Sequence, residues 1–151
     1  MFFSDDEDYK TTFTYDIVPK INPVAIVDID TFLNPDGAGY IIQEISMSMV
    51  KDGIIDYHPL LGPSFIKNAE GYEINLIVES KGGYTFIADE LNTFFDLIRG
   101  NGVKVNCYTN VAMSAAFYFL ISSCDKKIGV GDVDLMQHRY YFGGTDGYTA
   151  R

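Results

Sequence analysis

At 151 residues, with 47% hydrophobic and 21% charged residues, the chain has the size and composition of one globular domain with a sizeable core. Its formal charge of −10 excludes the basic surface that nucleic-acid phosphates or an anionic membrane require. No apolar run approaches the roughly 20 residues that span a bilayer, and the acidic start with Asp5, Asp6, Glu7 and Asp8 lacks the order of a signal peptide.

Residues 1–22 form a polar, acidic lead, and residues 23–151 read as one domain. Residues 23–29 are rich in β-branched side chains, the mark of a buried strand. Ile41, Ile42, Ile45 and Met49 share one helical face, which predicts a helix over residues 39–50 that Gly53 ends. Pro59, Gly62 and Pro63 punctuate residues 56–69, an expected loop that leaves His58 at the surface. Residues 72–78 read as a strand, and Ser80-Lys81-Gly82-Gly83 as a tight turn after it. A helix is predicted over 86–99, with Phe86, Leu91, Phe94, Phe95 and Ile98 inward and Gly100 and Gly102 as its stop. Then come a strand at 103–108, a buried helix at 112–124, a strand at 127–130 and a last element at 135–142. Strand alternating with helix is the pattern of right-handed parallel crossovers, so the expected fold class is α/β. Cys107 and Cys124 lack CxxC spacing and a nearby histidine, which predicts two reduced core residues in an intracellular setting.

In open α/β sheets, ligands collect at the carboxyl ends of the strands, and three features of the chain are expected there. Gly82 and Gly83 suit a turn whose backbone N–H groups face a substrate oxygen, although glycine serves ordinary strand-to-helix turns equally. Ser114 opens a helix of small residues, where it fits either a nucleophile or a helix cap. His138, 24 residues further on, is a base for such a serine if the two come within hydrogen-bonding reach.

Together these motifs resemble the Clp-protease proteolytic subunit and its phage-borne relatives. The resemblance covers residues 72–144, about half the chain. It rests on Ser80-Lys81-Gly82-Gly83, where the family has a Ser-Pro-Gly-Gly-like turn, and on Val111-Ala112-Met113-Ser114-Ala115-Ala116-Phe117, where it has an Ala-Ala-Ser segment. Asp125-Lys126-Lys127-Ile128 matches its basic strand entry, Met136-Gln137-His138 its Met-Ile-His motif, and Gly143-Gly144 a frequent Gly-Gly after it. The resemblance implies a single ClpP/crotonase-like domain of repeated β-β-α and βαβ crossovers and a serine-type endopeptidase acting on polypeptides. Ser114 and His138 would be catalytic, with Gly82, Gly83 and Ala115 around the oxyanion. It further implies no metal or cofactor, a homo-oligomeric ring, an ATP-driven AAA+ unfoldase as partner and a cytoplasmic location, with no nucleic acid and no membrane.

The chain departs from the family at two places. Aligned without gaps on Phe117 and His138, the nucleophilic serine falls on Met113, whose thioether cannot attack; a shift of one residue gives the role to Ser114. The family's orienting acid lies beyond a long helix that follows the histidine. The chain reaches Arg151 without such a stretch, so this handle helix is expected to be lacking, and only Asp146 follows His138 closely. Loss of the acid costs about 10⁴ in kcat. The alternative is therefore a catalytically inactive subunit or scaffold of the same fold, with Met113 in the nucleophile position. An acyl-CoA enzyme of the crotonase group and a membrane-associated serine–lysine peptidase are more distant readings, since no acid or membrane segment is placed for them.

Overall fold

The computed structural model describes residues 17–18, 20–65 and 68–137. In chain order the elements are β1 (Ala25–Val27), α1 (Gly37–Lys51), β2 (Ile55–His58), β3 (Gly62–Phe65), β4 (Glu73–Ser80), α2 (Thr85–Gly100), β5 (Lys104–Met113), α3 (Ala115–Ser123) and β6 (Lys126–Met136). Four of the strands form a parallel sheet in the order β1-β4-β5-β6, while β2 and β3 pair as a separate antiparallel hairpin. The fold class is α/β, as the alternation predicts.

Parallel neighbours need a crossover, and each helix supplies one. The three crossover helices lie on one face of the sheet. Ala25 and Val27 of β1, Ile74, Leu76 and Val78 of β4, and Val105 and Cys107 of β5 share a single core with them. Alternation sends Ile26, Ile77 and Tyr108 to the other face, where Ile17, Val18 and Ile21 pack on them. Each helix meets the sheet through a stripe at helical spacing: Ala38, Ile41, Ile45 and Met49 of α1, then Ile87, Leu91, Phe94 and Ile98 of α2. At the centre, the Phe119 ring of α3 lies 6.2 Å from that of Phe32 and 5.4 Å from that of Phe95. Arg99 ties the far ends together: its guanidinium donates to the Asp125 carboxylate and the Ser122 carbonyl, and Asp125 accepts the Val105 N–H at 2.8 Å.

Five expectations from the sequence are corrected. Phe86, in the first turn of α2, is exposed and not inward: its ring lies 5.4 Å from that of Tyr84, while the buried stripe starts at Ile87. Residues 56–69 are not simply a loop, because β2 and β3 form the hairpin there. Gly62, at φ +81°, provides its left-handed turn residue, and the His58 Nδ1 accepts the N–H groups of Leu60 and Leu61 at the exposed tip. The strand at 103–108 runs on to Met113, since parallel pairing with β4 and β6 continues past the last core residue. The strand at 127–130 likewise continues to Met136 through an excursion at residues 130–133, and this absorbs the start of the predicted last element. Cys107 and Cys124 are buried as expected, but they form a disulfide instead of two thiols. The crossover through α3 returns the chain beside β5 and leaves their Cα atoms 6.0 Å apart.

Phe119 is fully buried between two other aromatic rings, so its loss leaves a cavity the helices cannot close. Phe119→Ala is expected to lower unfolding stability by about 3–5 kcal/mol, read as a shift in the denaturant midpoint at unchanged slope.

Candidate functional site at the carboxyl ends of β4 and β5

β5 ends at Met113, which pairs with Met136 of β6, and α3 begins at Ala115. Ser114 alone makes the turn between them, with φ 57° and ψ −124°. That region is nearly closed to residues with a Cβ and costs on the order of 1–3 kcal/mol. Hydrogen bonds hold the residue on both sides: its N–H donates to the Met136 carbonyl at 2.7 Å, and its carbonyl accepts the Tyr118 N–H at 3.0 Å. Ser114 stands at the cap position of α3 yet makes no side-chain capping bond, so the helix-cap reading of its hydroxyl does not hold. Met113 is the last strand residue and stands beside the turn, not in it.

One extra residue in β5 sets this register. Pairing with β4 passes from Val78–Thr109 to Glu79–Val111, and pairing with β6 jumps between Thr109 and Val111, so Asn110 is left over in a bulge.

The turn after β4 packs directly on Ser114. Gly82 has φ +97°, and a Cβ built on it would lie 2.5 Å from the Met113 carbonyl oxygen, 2.8 Å from the Ser114 Cβ and 3.0 Å from the Ala115 nitrogen. Gly83 is confined by the loop after β1, where a Cβ would lie 2.2 Å from the Phe32 oxygen. The same oxygen accepts the Tyr84 N–H at 2.8 Å. Among the described residues, neither the Gly83 N–H nor the Ala115 N–H has a hydrogen-bond acceptor. The Gly82 N–H is different, because it donates to the Ser80 hydroxyl at 3.0 Å. Gly82 is thus the residue of close approach, while Gly83 and Ala115 carry the two unengaged donors of the turn.

His138, with Gly143, Gly144 and Asp146, lies outside the described residues. Sequence reasoning missed the parts that frame the turn: the Phe32 carbonyl, the Asn110 bulge and the separate role of Ser80. A β-bulge has no short motif, and the Phe32 contact joins residues about fifty positions apart, so only Ser80, inside the quoted turn, was within reach of a sequence signal.

The loop that carries Phe32 also lines an acidic cleft of about 280 Å³ at the carboxyl end of β1, with Asp28, Asp30, Thr31, Asn34 and Glu44 in its wall. Partial burial, and then the Asp28 charge, push the Glu44 carboxyl above its usual range. A larger cavity of about 590 Å³ lies along the outer side of α1 between Gly39 and Lys51 and has no residue of the serine turn in its lining. Among the described residues, no group of three or more His, Cys, Asp or Glu could hold a metal ion, and no helix is long and apolar enough to cross a membrane. No protein-family model matches the chain, and no curated protein matches it.

The two glycines Gly82 and Gly39 make opposite predictions. Gly82→Ala forces a Cβ into backbone at positive φ and is expected to cost about 2 kcal/mol or more. Gly39→Ala, in helix α1 with nothing within 4 Å of its Cβ, is expected to gain about 0.5–1 kcal/mol. Thermal unfolding of the two variants beside the parent chain checks both signs.

Proposed function

We propose that the chain is a serine-type endopeptidase of the Clp proteolytic-subunit kind, with Ser114 as nucleophile and polypeptide as substrate. The observation that carries this reading is the strained Ser114 backbone at a strand-to-helix turn, packed against Gly82, with the Gly83 and Ala115 N–H groups free of acceptors among the described residues. Strain of this sort persists where its surroundings over-determine it, and it collects at active sites. The Ser114 hydroxyl attacks the scissile carbonyl carbon and passes its proton to His138. The developing oxyanion is held by the Gly83 and Ala115 N–H groups, which favour charge that exists only in the transition state. His138 then protonates the leaving amine, and a water activated by the same imidazole hydrolyses the acyl-enzyme.

The assignment of His138 is supported by the match of Met136-Gln137-His138 to the family's Met-Ile-His motif. The ClpP/crotonase-like fold, the ring assembly and the unfoldase partner follow from the resemblance alone and belong to the same proposal. The cytoplasmic location does too, and it must accommodate the Cys107–Cys124 bond, which a reducing compartment disfavours.

A fluorophosphonate probe incubated with the full chain is expected to form one covalent adduct, mapped by peptide mass spectrometry to Ser114 and absent in Ser114→Ala. Without an adduct at any pH between 6 and 9, the chemistry is lost and the fold serves as a non-catalytic, peptide-binding subunit.

A further inference from the structure

We infer that Ser80 is the positioning residue of the oxyanion turn, a role that rests on Ser114 being the nucleophile. Ser80 ends β4 and pairs with Ala112, two residues before Ser114, so its backbone is fixed to the strand that carries the reacting group. It is 2% exposed, on the same face of β4 as Leu76 and Val78. A hydroxyl buried so deeply beside apolar neighbours requires a polar partner, and its described partner is the Gly82 N–H at 3.0 Å.

That bond has two consequences for the site. It removes the Gly82 N–H from competition for substrate, so that Gly83 and Ala115 are left as the donor pair. It also fixes the peptide plane between Lys81 and Gly82 and with it the left-handed φ of +97° at Gly82. The Gly83 nitrogen is two bonds from the Gly82 Cα, so its N–H direction follows from that dihedral setting. Gly82 is itself buried against Met113, Ser114 and Ala115. Without the hydroxyl, a buried N–H would lose its acceptor, a costly state that the turn relieves by rotating. Rotation would change the direction of the Gly83 N–H, one of the two donors the proposed reaction uses.

The test compares the full chain with Ser80→Ala and Ser80→Thr, reading the rate of fluorophosphonate labelling at Ser114 and amide exchange along residues 73–84. Ser80→Ala is expected to slow labelling by about ten- to a hundredfold, less than outright loss of an oxyanion donor. In that variant the Gly82 amide should exchange faster while the amides within β4 keep their protection. Ser80→Thr, which keeps the hydroxyl, should restore both. Equal labelling in Ser80→Ala and the parent chain overturns the inference, as does a loss of protection spread through the whole sheet. If the parent chain is not labelled, the nucleophile reading fails separately. Gly82 exchange then decides whether Ser80 holds the turn, and an unchanged rate in Ser80→Ala overturns that as well.

Discussion

At the carboxyl ends of β4 and β5, two turns approach so closely that a single added carbon at Gly82 would reach the Ser114 Cβ and the backbone on both sides of it. Everything distinctive about the site depends on that contact. Gly82 can make the approach because it has no side chain and tolerates a positive φ; Ser114 has a Cβ and must be held in its sparsely populated conformation by its surroundings. The Met136 carbonyl holds it from the β6 side, and the first bond of α3 holds it from the other. Strain of on the order of 1–3 kcal/mol is a large fraction of a small domain's margin of about 5–15 kcal/mol. The packing around the turn must therefore be rigid.

Rigidity comes from the crossover that carries the serine. The later part of β5 and all of α3 are enclosed by the Cys107–Cys124 disulfide, whose sequence separation of 17 residues contains the turn. A link across a loop of this size contributes about 3 kcal/mol by restricting the unfolded chain. Inside that loop, α3 buries Ala115, Ala116, Phe119 and Leu120, and its small first residues let it sit directly on the sheet. The Asn110 bulge interrupts the pairing of β5 with β4 three residues before the strand ends at Met113.

Much of the architecture was legible in the sequence because its signals are local. The 2-residue period of Ile74, Leu76 and Val78 and the helical stripe of Leu91, Phe94 and Ile98 each fix an element by burial alone. Residues 56–69 were harder, since Pro59, Gly62 and Pro63 signal a turn but not the two short strands it joins. The length of β5 escaped notice because Thr109 and Asn110 read as loop residues and Ala112 and Met113 as helix, while parallel pairing on both sides overrides those propensities. At the site, the motif around Gly82 and Gly83 was visible, but the division of labour among their N–H groups was not. That division depends on where Ser80 points its hydroxyl and on a contact with Phe32 from far away in the chain. The cysteines were misread for a related reason: their spacing carries no motif, and only the crossover brings them together.

The most direct test of the central claim is the distance between the His138 Nε2 and the Ser114 Oγ in an experimentally determined structure of the full chain. The account predicts a separation of about 4 Å or less, with Ser114 still at positive φ and its hydroxyl turned towards the imidazole. A Ser114 relaxed into ordinary helical dihedrals, with His138 beyond the reach of its hydroxyl, would contradict it.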